Sequence, residues 1–270
     1  LCYDAALGSA RISTQSQQLA VATLLRDHLV DKIRIGILQT DSVLEQFQPR
    51  FGDYPQMFER VLHNSAQTTG VQVECVNYPV QSTLPNTMDC DAYLITGSRD
   101  SVYDDLPWIF DLVRFLEGAL SAGKQILGIC FGHQLMAHFF GGRVAPAQGG
   151  WAVGVHTSKI VERQNWMDAN TGDRFSLLSS HKDQVAELPD GAEVFATNDF
   201  CPIAGFTMGD QVITVQGHPE FTKTYAQGLL DHRRKLLGET VYQQGSASMQ
   251  HATDEVLVAG WLLAFVTGRS

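Results

Sequence analysis

The sequence is poor in cysteine and has no pattern that would pair its thiols. The count is odd and no CxxC pair occurs; the five residues are Cys2, Cys75, Cys90, Cys130 and Cys201. Disulfide frameworks and zinc sites both need paired or clustered cysteines, so we expect neither. His133 and His138 are an unsuitable metal pair, because their spacing puts them on different faces of a helix. We therefore expect no metal and no cofactor.

Long apolar runs and an excess of positive charge are also missing. The longest apolar run, residues 256–266, has 11 residues, whereas a membrane-spanning helix needs about 20. It predicts a buried helix instead. The 270 residues carry 29 acidic and 19 basic side chains, for a net charge of −10. A chain this acidic is a poor match for nucleic acid or an anionic membrane surface, so we expect neither as a partner.

A secretory signal is missing as well, because the first twenty residues do not combine a basic start with an apolar stretch. We therefore expect a reducing, cytoplasmic location. Residues 1–32 are expected to form an N-terminal accessory arm, with a short helix at 19–30 that packs on the surface or reaches a second subunit, which leaves a homo-oligomer open. No repeat, low-complexity block or Pro-, Gly- and Ser-rich linker divides the rest. Residues 33–270 are therefore expected to form a single domain.

Strand and helix patterns alternate regularly through the first half of this domain. Strand-like runs occur at 33–38, 71–75, 92–95 and 125–129, and helical patterns at 55–67, 107–122 and 131–140. Strands joined through helices by short loops predict an α/β fold, with a mostly parallel central sheet and helices on both faces. Closely spaced strand-like runs follow at 151–161, 193–197, 203–208 and 211–215. They predict a small antiparallel section before two helices at about 222–237 and 253–266.

The sharpest motif is Gly-Ile-Cys-Phe-Gly at 128–132, between a buried strand and an apolar helix. It has the form of a nucleophile elbow, with Cys130 in the place of the nucleophile. A helix N-terminus favours the thiolate over the thiol and offers backbone amides for an oxyanion, with that of Phe131 best placed. Taken alone, the motif fits a buried cysteine in a glycine-rich turn equally well.

A partner for Cys130 is found in Gln-Gly-His-Pro-Glu at 216–220. His218 directly follows the strand at 211–215, which places it at the same carboxyl-terminal sheet edge as Cys130. Glu220 lies two residues further on and can orient the imidazole from its far side. The combination favours a Cys-His-Glu triad over a structural role for each residue separately.

The motif order resembles that of the class I (triad) glutamine amidotransferase family. The resemblance covers roughly residues 33–232 and rests on the segments 95–98, 128–134, 180–183 and 217–220. Within the family the chain is most similar to stand-alone members related to the amidotransferase domain of GMP synthase, including the γ-glutamyl peptidases. The resemblance implies a flavodoxin-like fold. It departs at 97–99, where Gly-Ser-Arg replaces the family's Gly-Gly-Pro, and the arm 1–32 has no counterpart.

The resemblance also implies roles for individual residues. Cys130 would be the nucleophile, His218 the general base and then acid, and Glu220 the residue that orients His218. The amides of Gly97 and Phe131 would form the oxyanion hole. Substrate contacts would come from Ser98, Gln134, Ser180, His181, Lys182 and Asp183.

These residues imply a hydrolase that cleaves the γ-glutamyl amide bond of glutamine, or of a γ-glutamyl peptide or amide, through a thioester on Cys130. The sequence contains no synthetase domain and no GxxxxGK nucleotide loop. An alternative is a glutaminase subunit that delivers ammonia to a separate synthetase partner. A catalytically inactive binding module is a further alternative, which the complete triad disfavours.

Overall fold

The computed structural model describes residues 32–268, so the predicted arm and its helix at 19–30 lie outside the described residues. The strands of the described part are β1 Lys32–Gln39, β2 Gln72–Pro79, β3 Ala92–Ile95, β4 Gln125–Ile129, β5 Arg143–Pro146, β6 Ala152–Ile160, β7 Arg174–His181, β8 Asp183–Glu187, β9 Ala192–Thr197, β10 Gly205–Met208 and β11 Val212–Val215. The helices are α1 Gln48–Phe51, α2 Tyr54–Thr69, α3 Pro107–Ser121, α4 Phe131–Phe139, α5 Lys223–Leu237, α6 Glu239–Ser248 and α7 Glu255–Thr267.

A nine-stranded sheet organises the described residues, in the order β2-β1-β3-β4-β11-β10-β9-β6-β7. The strands from β2 to β11 run parallel to one another. From β10 onward each neighbouring pair is antiparallel. β5 and β8 form a separate antiparallel pair. The predicted α/β fold is confirmed, and its antiparallel section continues the main sheet.

Helices cover both faces of the sheet, and each face has its own hydrophobic core. One core joins Ile35 of β1 to Phe58 of α2 and Trp261 of α7. The other joins Tyr93 of β3 to Leu112 of α3 and Leu135 of α4. The run at 256–266 lies within α7, with most of its side chains buried, which confirms the predicted buried helix. Within residues 32–268, no helix has the length and apolar character needed to cross a bilayer.

The sequence pattern did not predict five elements, which are α1, β5, β7, β8 and α6. Strand β7 contains adjacent buried Leu177 and Leu178 followed by two serines, so its alternation is weak. Helix α6 is rich in small and polar residues, yet it packs closely on β6. A Cβ at Gly245 would lie 2.8 Å from Val153 Cγ2. The close approach stabilises α6 through packing, which local helix propensity does not reveal.

Candidate active site

Cys130 lies at the sharp turn between β4 and α4, with φ at 51° and ψ at −96°. It is the only non-glycine residue with positive φ among residues 32–268. Such a conformation costs on the order of 1–3 kcal/mol and persists only where the surroundings enforce it. Its amide donates to Val215 O at 3.0 Å, and its carbonyl accepts from the Gln134 amide at 3.0 Å. The turn is therefore held from both sides.

The two glycines of the elbow are required by close backbone packing. A Cβ at Gly128 would lie 2.7 Å from Thr214 Cγ2 and 2.8 Å from Gly132 O. A Cβ at Gly132 would lie 2.7 Å from Ile95 O. Neither neighbour can move without disturbing the sheet, because β3, β4 and β11 lie side by side. The nucleophile-elbow interpretation of residues 128–132 thus has a steric basis.

His218 and Glu220 form a buried pair just beyond β11. The distance from His218 Nδ1 to Glu220 Oε1 is 2.7 Å, and the two residues are 4% and 3% exposed. The His218 amide donates to Leu178 O of β7 at 2.8 Å. The imidazole stacks on Phe221, with ring centroids 3.9 Å apart and planes 7° from parallel. Backbone, carboxylate and aromatic contacts together fix the orientation of the ring.

Gly97 marks the point where His218 and Cys130 come together. A Cβ at Gly97 would lie 2.9 Å from His218 Cε1 and 3.6 Å from Cys130 Cβ. His218 Nε2 is buried and has no hydrogen-bond partner among the described residues. With Nδ1 engaged by Glu220, this nitrogen is available to exchange a proton at the Cys130 side of the ring.

The charges at this site favour a protonated His218. Burial by itself lowers the pKa of His218, but the Glu220 carboxylate and the Cys130 side chain raise it to about 10. Burial raises the pKa of the Cys75 thiol and that of the Cys201 thiol to about 12. Burial also raises the pKa of Cys90. These three thiols therefore stay protonated near neutral pH.

Hydrogen bonds and an ion pair hold the loop after β3 in place around Gly97. The Thr40 hydroxyl donates to Gly97 O at 2.9 Å, and Thr96 Oγ1 donates to it at 3.2 Å. Arg99 forms a two-pronged ion pair with Asp41, with N–O distances of 2.8 and 2.7 Å. The Arg99 amide also donates to Asp41 at 3.0 Å. Hydrogen bonds and an ion pair to the segment that follows β1 thus fix the position of the loop.

Two backbone amides near Cys130 are left available. Among the described residues, neither the Gly97 amide nor the Phe131 amide donates a turn, loop or cap hydrogen bond, and no side chain accepts from either. Phe131 is the first residue of α4, where amides have no partner within the helix. The two amides that the resemblance singles out are therefore free donors next to the Cys130 turn.

A cavity of about 480 Å³ opens over Cys130. All six residues predicted to contact substrate line it: Ser98, Gln134, Ser180, His181, Lys182 and Asp183. Further lining residues escaped the sequence analysis: Leu44, Arg99, Asp100, Trp151, His232, Arg233 and Leu236.

The six predicted residues differ in how free they are to bind a ligand. Gln134 Nε2 already donates to Asp183 O at 2.7 Å and to Gln216 Oε1 at 3.1 Å, so it positions the strand end at 181–183. His181 is buried and neutral, because burial lowers its pKa to about 3. Asp183 accepts from Ser101 through one carboxylate oxygen, while the other, Oδ1, has no partner among the described residues. Lys182 is exposed at the cavity.

The donor set around the cavity is suited to acyl chemistry on a thiol. Within residues 32–268, no group of three or more His, Cys, Asp or Glu side chains is placed to hold a metal ion. The site offers a strained cysteine, a histidine oriented by a carboxylate, two free amides and a polar cavity. These are the parts that form and break a covalent acyl intermediate.

The chain is similar to known proteins in sequence and in fold. γ-Glutamyl peptidase 3 of Arabidopsis thaliana is 28% identical over 64% of this chain and 74% of its own length. The glutamine-hydrolysing GMP synthase of Thermomicrobium roseum is 31% identical over 64% of this chain and 31% of its own length. A glutamine amidotransferase from Thermotoga maritima shares the fold, with a TM-score of 0.67 at 16% identity, covering 87% of this chain and 98% of that chain.

The family model described as glutamine amidotransferase class-I matches residues 51–232. That range is more than half of the chain and contains Cys130, His218 and Glu220. The chain belongs to the class-I glutamine amidotransferase family.

Proposed function

We propose that this chain hydrolyses γ-glutamyl amide bonds, of glutamine or of γ-glutamyl peptides and amides, through a γ-glutamyl thioester on Cys130. The observation that carries the proposal is the convergence of a strained cysteine with the His218–Glu220 pair, whose carboxylate lies 2.7 Å from the imidazole. Family membership and the similarity to a protein named γ-glutamyl peptidase support the same reaction.

In the first half of the reaction, the Cys130 thiolate attacks the γ-carbonyl carbon and forms a C–S bond. The negative charge that develops on the carbonyl oxygen is stabilised by the amides of Gly97 and Phe131. Collapse of this intermediate breaks the C–N bond, and protonated His218 gives the proton of Nε2 to the departing nitrogen. The products of this half are the thioester and a free amine, which is ammonia when the substrate is glutamine.

In the second half, water attacks the thioester. His218, now neutral, removes a proton from the water, and the tetrahedral intermediate breaks its C–S bond to release glutamate and the thiolate. Glu220 keeps Nδ1 as the hydrogen-bond donor and stabilises the imidazolium in both halves. The raised pKa of His218, about 10, fits a resting state in which the imidazole is protonated.

We infer that the chain is active without a partner. A subunit that feeds ammonia to a synthetase gains from keeping its oxyanion loop misaligned until it docks. Here Gly97 is held by Thr40 and Thr96, and Arg99 is held by Asp41. These bonds support donors that are organised in advance, as an autonomous hydrolase requires. The similarity to a GMP synthase favours, as a second candidate, a glutaminase subunit that works with a separate synthetase.

Steady-state assays on the isolated chain test this proposal. We expect release of glutamate together with ammonia or free amine from glutamine and from γ-glutamyl dipeptides, with the dipeptides at least as good as glutamine. Cys130→Ala is the blank for contaminating activity. Background turnover on every substrate, restored by a cell extract or an added synthetase, would establish the subunit alternative. Background turnover that no addition restores would establish a binding module.

A further inference from the structure

The cavity over Cys130 has an outer wall that none of the family motifs supplies. It consists of Leu44, which follows β1, Trp151, which precedes β6, and Arg233 and Leu236 on α5. Leu236 is 66% exposed, so the rim of this wall is apolar and open to solvent. The family match covers residues 51–232, so Leu44, Arg233 and Leu236 lie outside it and Trp151 lies within it.

Arg233 is the one charged member of the outer wall, and its side chain is held in place. Its Nη1 donates to Ser180 Oγ at 2.8 Å, and its guanidinium carbon lies 5.4 Å from the centre of the Trp151 ring. Both contacts restrict the long side chain, which lines the cavity. An arginine fixed in this way loses little further entropy when it binds an anion.

The guanidinium of Arg233 has no carboxylate partner among the described residues, unlike two arginines nearby. Arg234, the next residue on α5, pairs with Glu239 at 2.7 Å, and Arg99 pairs with Asp41 at 2.7 Å. Arg233 is half-buried. The guanidinium of Arg233 is thus fixed in position but has no ion-pair partner among the described residues. Its N–H groups are available for the two parallel hydrogen bonds that arginine forms with a carboxylate.

Other charges of the cavity lining match a γ-glutamyl group. Asp183 offers a buried carboxylate oxygen without a partner among the described residues, which suits the α-ammonium group. Lys182, beside it, has no ion-pair partner among the described residues and suits the α-carboxylate. Two cations of the lining, Lys182 and Arg233, thus lack a carboxylate partner, whereas free glutamine carries a single carboxylate. A substrate with a second carboxylate matches both cations.

We propose that Arg233, stacked on Trp151 and held by Ser180, binds a carboxylate on the departing amine. The preferred substrates are then γ-glutamyl peptides whose leaving portion is an amino acid or peptide with a free carboxylate. This inference rests on the proposed function and names the substrate class of the same site. The competing assignment is that Arg233 binds the α-carboxylate of the γ-glutamyl group instead of a carboxylate on the leaving amine.

Two substrates of nearly the same shape distinguish these two assignments of Arg233. γ-Glutamyl-glycine carries a carboxylate on its leaving group, γ-glutamyl-glycinamide carries an uncharged amide there, and both share the α-carboxylate. We expect Arg233→Gln to lower kcat/KM for γ-glutamyl-glycine by at least about 10-fold, and for the glycinamide by less than about 3-fold, because one charge-assisted hydrogen-bond pair is lost. Lys235→Gln, an exposed charge on the same helix, is the matched control and should change neither.

Other outcomes would overturn the assignment. An equal loss on both peptides and on glutamine would place the α-carboxylate at Arg233. No loss on either peptide would remove Arg233 from recognition. Arg233→Lys keeps the charge without the fork, and Ser180→Ala frees the side chain. Each should reduce the preference for γ-glutamyl-glycine by a smaller factor than Arg233→Gln does. These two variants provide the test if the melting temperature of Arg233→Gln is well below that of the wild type.

The inference and the proposed function can fail separately. A wild-type chain that turns over no γ-glutamyl substrate contradicts the function only. In that case, calorimetric titration of Cys130→Ala with the two peptides still measures recognition. We expect tighter binding of γ-glutamyl-glycine than of the glycinamide, and loss of that difference when Arg233→Gln is added. Equal binding of the two peptides by Cys130→Ala would overturn the inference.

Discussion

The parallel and antiparallel halves of the main sheet contribute different parts of the site. The parallel half carries the proposed catalytic residues, since Gly97, Cys130 and His218 follow β3, β4 and β11, which are neighbouring parallel strands. The antiparallel half contributes part of the cavity lining, at the end of β7 and at the residue before β6. The proposed catalytic groups are thus brought together by strand adjacency, whereas the lining of the cavity comes from more distant elements.

This comparison implies that changes in the parallel half should abolish the reaction, while changes in the antiparallel half should alter substrate preference. Cys130→Ala should produce the largest effect on activity. We expect kcat/KM to fall by about 10⁴-fold or more, because the covalent intermediate cannot form. The melting temperature should stay the same or rise, since alanine removes no packing partner larger than a thiol.

The control for this variant is Cys201→Ala, which removes another buried thiol. Activity in Cys201→Ala should remain within a few-fold of the wild type. If Cys130→Ala kept substantial turnover, or if Cys201→Ala lost it, the chemistry would not lie at the end of β4.

Glu220→Gln should have the next largest effect, a loss of roughly 10²- to 10⁴-fold in kcat. The side-chain amide that this substitution introduces can hold the imidazole of His218 in the wrong tautomer, and it carries no charge to stabilise the imidazolium. The pH profile gives a second readout. The wild type should retain protonated His218, and hence its activity, up to about pH 10, and lose it as pH rises further. The variant's basic limb should move to lower pH, because the Glu220 charge that raises this pKa is gone.

A purely structural role for Glu220 would lower stability but would leave the basic limb where it is. Measurement of kcat/KM across pH, which reports the pKa values of the free enzyme, distinguishes the two roles when the melting temperature is followed in parallel.

Gly132→Ala should damage the elbow through packing. The added Cβ would lie 2.7 Å from Ile95 O, and we expect a destabilisation of about 1–3 kcal/mol or more together with reduced activity. Gly172→Ala is the matched control, because nothing lies within 4 Å of a Cβ there. Denaturant melts of the two variants measure the difference. Equal stability would show that the elbow has room for a side chain.

Asp41→Asn should give the smallest change among these variants. It removes the charge that holds Arg99 and loosens the loop that carries Gly97. Because Arg99 is 53% exposed, the ion pair contributes at most about 1 kcal/mol. We expect a loss of a few-fold in kcat with little change in KM. Asp190→Asn, at an exposed aspartate, is the control, and a KM effect without a kcat effect would assign Asp41 to substrate binding.

The same comparison explains how much the sequence could predict. Cys130, His218 and Glu220 were identifiable because each lies within a few residues of the end of a strand that is buried and strongly patterned. Parallel neighbours bring such strand ends to one edge, so a linear motif specifies a position in space. The flanking glycines added a second signal, which the close contacts of Gly128 and Gly132 explain.

The residues of the outer wall gave no such signal. Arg233 and Leu236 belong to an ordinary amphipathic helix, where a charged or apolar side chain indicates only an exposed or buried face. Their proximity to Trp151 depends on how α5 packs across the antiparallel half, which no local pattern encodes. His232 lines the cavity for the same reason. Helix α6 was missed because it is stabilised by close packing of Gly245 on β6, and a glycine inside a helix weakens its local propensity.

The most direct test of the central claim is covalent trapping of the nucleophile. A glutamine analogue that carries a diazo-ketone in place of the carboxamide should alkylate one residue, and peptide mapping by mass spectrometry should locate it at Cys130. Excess glutamine or γ-glutamyl peptide should protect that residue, and hydrolysis should stop in proportion to labelling. An adduct on Cys75, Cys90 or Cys201 that accounts for the loss of activity, with Cys130 unmodified, would contradict the account.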